Sequence, residues 1–428
     1  MTRLPLDGMR VADLSMMWAG PFATKLLAEM GADVLKIESP SAWDNIRTLI
    51  PFPADSEPWN ASYYFNTYNR QKRSVTLDLA QDAGRDVFLR LLAHCDVLVE
   101  NYRADVLDNL GIGYDVLRAA NPQLVIVSMA GFGKTGEDRS LVGFGPVIEM
   151  MSGLTSLTGY GDDGIPYKCG VSYGDPVGGQ MAAAAVVLGL MQRRRTGTGT
   201  VIDLAQRETG AAMAGEAFVA ASRHGTDQPQ WGNRDPRLAP QGCYRCADQD
   251  LTRWEGTATP PVPGTEEQWV VVAARTDAEW RALARLVGRD DLAGLDLATR
   301  QQRHDELDEV LAAWARQRTA ADVVAEVRAA GATAGRVHDT VSVHDDPQLA
   351  ARGHWSTFPH PHMPDGWRQP VAAWHRVGED RGLRARAPLF GEHTRTVLTE
   401  LLGCTADELD ELAAASVIGD APINPGVG

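Results

Sequence analysis

Across its first 135 residues the chain repeats one pattern: a short apolar run, a turn signal, then a segment with helical spacing. RVADL (residues 10–14) reads as a strand, and residues 21–30 as a helix stopped at Gly31. DVLKI (33–37) is again a strand, followed by strand-like residues 74–79, a helix over 83–94 and a strand over 96–99. A helix over about 106–120 leads to LVIVSM (124–129), whose continuous apolar character suits a parallel strand buried on both faces. Parallel neighbours need a crossover, and a helix supplies it, so this alternation predicts a doubly wound α/β sheet. The first strand ends in SMMWAGP rather than G-x-G-x-x-G, which argues against NAD or FAD.

The pattern then changes. Residues 225–263 are rich in Gln, Pro, Asp, Gly and Trp and read as linker and long loops. QWVVVAAR (268–275) is a strand, and helices over 277–287 and 304–316 complete a small separate α/β unit. After Gly331 the chain returns through strands to a helical tail at 406–415. Nothing approaches the roughly 18 apolar residues that cross a bilayer. The apolar run 181–191 reads as a buried helix instead. A net charge of −15 speaks against broad nucleic-acid affinity but allows a local basic pocket. With no apolar signal core after Met1, the expectation is a cytoplasmic protein with neither membrane nor nucleic acid as partner. Cysteines 95, 169, 243, 246 and 404 form no disulfide framework, and Cys243-x-x-Cys246 lacks a second ligand pair, so no metal site is expected.

GVSYGDPVGG (170–179) sets one carboxylate among four glycines, just ahead of that apolar run. Asp175 suits a helix N-cap and Pro176 the first helical position. It also suits a nucleophile in covalent chemistry, with glycines that let the backbone approach a substrate closely.

LDGMRVADLSMMWAGPFATKLLAEMGADVLKIESP, NRQKRSVTLDLAQDAGRDVFLRLLAHCDVLVENYR, LGIGYDVLRAANPQLVIVSMAGFGKTG and APLFGEHTRTVLTELLG resemble the family III CoA-transferases. That family includes formyl-CoA transferase, the carnitine CoA-transferases and α-methylacyl-CoA racemase. The resemblance runs from about residue 6 to 418 and thins between 240 and 340. It implies a Rossmann-like large domain built from both chain ends (1–224 and, after a return linker, 336–428), with linker and a small α/β domain inserted at 225–335. It also implies an interlocked homodimer.

The family's catalytic aspartate lies in G-D-x-x-x-G, which Gly174-Asp175-Pro176-Val177-Gly178-Gly179 matches. The implied reaction moves CoA from an acyl-CoA donor to a carboxylic acid through an aspartyl mixed anhydride and an aspartyl-CoA thioester. CoA is then a substrate, and no tightly bound cofactor is expected. Helix-terminal N–H groups are expected to keep Asp175 ionised. By position, CoA contacts fall on Trp18, Ala19, Leu77, Asp78, Asn101, Tyr102, Arg103, Gly131 and Phe132. Ser39 stands where many members carry Arg, so Arg47 or Lys134 are candidate substitutes for a phosphate contact.

Two alternatives stay open. Racemisation needs two acid/base groups, yet no His occurs between His94 and His224, and Glu149 reads as an interior contact or a second base. A CoA-binding homologue without catalysis is the other. The stretch 248–264 lacks the glycine-rich loop of formyl-CoA transferase. With Trp18, Trp43 and the Trp-rich region 231–269, this suggests an acid larger than formate. His393 reads as structural.

Overall fold

The computed structural model describes residues 3–49, 57–161, 164–253, 262–374, 376–377 and 383–423. Two compact units divide the chain: Met1–Thr155, Lys168–Thr226 and Ala351–Gly428 form one, and Ser156–Tyr167 with Asp227–Ala350 the other.

The first unit is built on six parallel strands: β1 (Arg10–Asp13), β2 (Asp33–Glu38), β3 (Arg73–Thr76), β4 (Val97–Glu100), β5 (Val125–Ser128) and β6 (Thr200–Asp203). Their order is β3-β2-β1-β4-β5-β6. Every residue of β4 and β5 is buried, as the continuous apolar runs require. Side chains alternate between two cores. Leu35, Leu98 and Ile126 pack with Phe88, Leu91, Val397 and Leu398 on one face. Val11, Val34, Val97, Val99 and Val125 pack with Ala23, Leu27, Ala182 and Val186 on the other.

The chain's end is therefore part of this core. His393 joins it to β3: its Nδ1 accepts the Ser74 N–H (3.3 Å), and its own N–H donates to the Ser74 carbonyl (2.9 Å). Strand order reverses between β1 and β4, which opens a crevice at the carboxyl ends of these strands.

Four elements depart from the sequence reading. The helix expected over 106–120 is two, Val106–Asn109 and Tyr114–Ala120, because Gly111 turns the chain with φ +73°. Strand β6 was not foreseen; TVID offers only two apolar residues. Strands Gln241–Arg245 and Gln249–Arg253 lie where linker was expected.

The second unit holds an antiparallel sheet in which Trp269–Ala273 pairs with Gln241–Arg245 and Thr333–Val337. Val270 and Val272 face Trp280, Leu283, Leu307, Leu311, Val323 and Val327 from the covering helices. Among the described residues no helix is long and apolar enough to cross a membrane.

Candidate active site

Asp175 sits at the crevice. The helix Gly174–Thr196 begins one residue before it, and Tyr173 precedes the helix with helical dihedrals (φ −60°, ψ −30°) and no capping side chain. Asp175 is thus inside the first turn and is not the N-cap; Pro176 follows within that turn. The backbone N–H of Ala19, the first residue of the helix Ala19–Glu29, lies near the Asp175 carboxylate and favours the anion. The two helices meet closely at Gly179, where an added Cβ would lie 2.6 Å from the Ala19 carbonyl oxygen and 2.9 Å from Phe22 Cδ1. Gly145 is equally constrained: a Cβ there would lie 1.7 Å from Asp175 Oδ2.

The carboxylate is not held in its anion form. Burial, with a smaller contribution from the Glu149 charge, pushes its pKa from the ordinary 3.8 up to about 7, against the opposing effect of the Ala19 N–H. The expectation that helix-terminal N–H groups keep it firmly ionised is corrected: desolvation outweighs them.

A cavity of about 260 Å³ opens on Asp175 and brings together Asn101, Tyr102, Arg103, Gly131 and Phe132 from the sequence-predicted set. Asn101 fixes the turn after β1, accepting the Met16 N–H (2.7 Å) and donating to the Met16 carbonyl (2.8 Å). Met17 then takes a left-handed φ of +64°, a cost tolerated because Asp44 Oδ1 accepts its N–H (2.9 Å). Asp44 also pairs with the fully buried Lys36 (2.9 Å), whose ammonium donates to the Ser15 carbonyl. The turn that delivers Trp18 and Ala19 therefore hangs on buried, paired charges.

An adjoining cavity of about 430 Å³ shares Met16, Asn45 and Tyr102 with the first and contains Leu77, Asp78, Ser39 and Trp43. Its walls are largely apolar, with Leu14, Ile37, Leu79, Val106 and Leu110, and also carry Glu38, Asp44 and Asp78. Trp18 and Ala19 line neither cavity. Trp18 packs edge-on to Tyr64 (ring centroids 5.7 Å apart) and tilted against Tyr68 (5.5 Å).

Arg47 and Lys134 do not offer free cations. Arg47 is fully buried, bidentate to Glu38 (2.8 Å each) and 3.4 Å over the Phe65 ring. Lys134 pairs with Glu100 (3.0 Å) and donates to the Arg103 carbonyl (3.4 Å). Arg103 and Arg139 line the Asp175 cavity, and neither side chain makes an ion pair with a described residue. Sequence reasoning missed Arg139, Gly145 and Gln206; the Gly143-x-Gly145-Pro146 signal ahead of a short helix pointed to close backbone approach. Of the stretch 248–264, residues 254–261 lie outside the described residues.

A cavity of about 780 Å³ in the second unit is larger, but its one lining arginine is taken up by acidic neighbours. Arg234 pairs with Asp305 (2.6 Å) and Asp308 (2.5 Å), and the Tyr244 hydroxyl donates to Asp308 (2.6 Å).

The family model described as CoA-transferase family III matches residues 6–394. A succinyl-CoA–D-citramalate CoA-transferase of Chloroflexus aurantiacus is 32% identical over 424 residues, covering 97% of this chain and 98% of that protein. A succinyl-CoA:mesaconate CoA-transferase of Haloarcula marismortui is 32% identical over 406 residues, covering 92% and 96%. The crystal structure of a CaiB/BaiF family protein from Brucella suis superposes with a TM-score of 0.80 at 31% identity, covering 94% of this chain and all of that one. The parallel sheet, the crevice with its aspartate and the near full-length match lead to one assignment: this chain belongs to CoA-transferase family III.

Proposed function

We propose that this protein transfers CoA from an acyl-CoA to a free carboxylic acid, with Asp175 as covalent nucleophile. The observation that carries the reading is a desolvated carboxylate on the wall of a cavity at the sheet's reversal point, with glycine backbone on two sides.

The Asp175 carboxylate attacks the thioester carbonyl; the C–S bond breaks, giving a mixed anhydride and CoA thiolate. The thiolate attacks the aspartyl carbonyl, freeing the donor acid and leaving an aspartyl-CoA thioester. The acceptor carboxylate attacks that thioester, and the released thiolate takes the acceptor acyl group, regenerating Asp175. Burial raises the energy of the anion and so its nucleophilicity, while the Ala19 N–H steadies its pose. The largely apolar second cavity, with Leu77 and Asp78, suits the adenosine end of CoA, and Arg103 suits a phosphate.

Arg139 is then left for the acyl end, where a guanidinium suits the distal carboxylate of a dicarboxylic acid. The two relatives named above carry succinyl-CoA with citramalate or mesaconate in their names, and a short dicarboxylic acid is the acceptor class we propose here. Racemisation needs a second free base facing the substrate; both Glu149 oxygens accept backbone N–H groups, which favours transfer. We also propose that the working form is an interlocked homodimer.

The test is a screen of acyl-CoA donors against mono- and dicarboxylic acceptors, with hydroxylamine trapping read by mass spectrometry. Transfer to short dicarboxylates with a hydroxamate at Asp175 is expected. Exchange of the α-hydrogen without acyl exchange would replace transfer by racemisation. Activity confined to one- or two-carbon acids would remove the acceptor class.

A further inference from the structure

The helix Gly145–Met151 presents three buried residues, Gly145, Ile148 and Glu149, and the nucleophile meets this buried set at both ends. Gly145 is the floor beneath the Asp175 carboxylate. Glu149, one turn on and on the same face, is 1% exposed. Its Oε1 accepts the Cys169 N–H (3.2 Å) and its Oε2 the Tyr173 N–H (3.0 Å). No Lys or Arg among the described residues lies within ion-pair distance of it. A buried carboxylate without a counter-ion is costly unless its oxygens are hydrogen-bonded. These two bonds are what it has, and both go to the segment that enters the nucleophile's helix. Tyr173 has no capping side chain, so the acceptor for its N–H comes from a neighbouring helix.

We propose that Glu149 is a positioning residue for the nucleophile: its carboxylate ties Cys169 and Tyr173 to the helix Gly145–Met151 and so sets the pose in which Asp175 meets the thioester. The proposal rests on the transferase reading above. A second consequence follows from charge. The groups that face Asp175 are Glu149, Tyr64 and Tyr68 on the helix Tyr63–Tyr68, and Arg103 and Arg139 on the cavity wall. Glu149 is the one carboxylate among them, and its charge opposes ionisation of Asp175.

Two variants separate pose from charge. Glu149→Gln removes the anion and turns one acceptor into a donor that faces a backbone N–H. Glu149→Asp keeps the anion but is one methylene too short to hold both N–H groups. Both are expected to lower kcat by roughly 10- to 100-fold, the scale of a misplaced reacting group, with KM for the acyl-CoA little changed. The acidic limb of kcat/KM should move to lower pH in Glu149→Gln and stay in place in Glu149→Asp. A role in folding alone would lower the melting temperature and leave kcat per folded enzyme and the limb unmoved. Parental kcat in both variants overturns the positioning role while the transferase reading stands. Absence of transfer in the parent itself overturns that reading, and this role with it. Where Glu149→Gln does not fold, Glu149→Asp decides on kcat alone.

Discussion

At the scale of one residue, Asp175 shows a group placed where it is uncomfortable. Its folded pKa of about 7 lies above the ordinary 3.8, so burial favours the protonated form. The proposed nucleophile is the anion, so kcat/KM is expected to rise with pH and level off above about 7; a profile flat from pH 5 to 8 would contradict this. Stability runs the other way. A raised folded pKa means that the favourable contribution is complete below about 4 and is lost as pH rises through about 7. Asp175→Asn, which cannot ionise, is therefore expected to melt higher than the parent at pH 8, with a smaller difference at pH 5.5. The same variant should lose acyl transfer by several orders of magnitude, on the order of 10³-fold or more. Mass spectrometry guards against deamidation back to Asp. Near-normal transfer would remove the covalent role, and a lower melting temperature at pH 8 would contradict the desolvation account. The sequence marked this residue through its glycines and helix, but not its proton affinity. The N-cap reading failed because Ser172 and Tyr173 already turn toward the helix, which no local rule reveals.

At the scale of elements, the site depends on how closely the helices Ala19–Glu29 and Gly174–Thr196 approach, since one carries the N–H that favours the anion of the other's aspartate. Gly179→Ala places a methyl 2.6 Å from the Ala19 carbonyl, against backbone that cannot swing aside. Overpacking of this kind costs about 1–3 kcal/mol. The denaturation midpoint should fall accordingly, and transfer per folded enzyme should fall with it as Ala19 is pushed from Asp175. An unchanged midpoint would mean that the helices are less tightly apposed. Elements whose own composition determines them were legible: LVIVSM became β5, and DVLKI became β2. Elements determined by distant partners were not. TVID is a strand because β5 offers it an edge, with Val201 opposite Ile126, and its half-buried residues carry no periodic signal of their own. Arg47 looked like a spare cation until folding set it on Glu38 and Phe65; Glu149 lies 24 residues from the Tyr173 N–H that it holds. Pairings through space of this kind leave no local trace.

At the scale of the whole molecule, the helix Gly174–Thr196 raises a question that its own unit does not answer. Residues 181–191 are apolar on every side and read as a buried helix, because such a helix in water alone would be unfavourable. One side is indeed packed, with Ala182, Ala183, Val186 and Gly189 against the sheet and its neighbours. The opposite side leaves Met181, Leu188 and Met191 at 49%, 63% and 51% exposure. Met213, Phe218 and Val219 on the following helices are exposed as well. Apolar surface of this extent suits a protein interface, and the occupant we propose is a second copy of the chain, as the family resemblance implies. Light scattering after size exclusion is expected to give twice the 46.3 kDa chain mass at all accessible dilutions, because interlocked chains separate only by unfolding. Leu188→Glu sets a charge in the centre of the face and should yield monomer or insoluble protein, since an unpaired buried charge is expensive. A parent that runs at 46.3 kDa while transferring CoA would refute the dimer. A stable Leu188→Glu dimer would instead place its interface elsewhere, and the exposed methionines of this helix would then lack a partner.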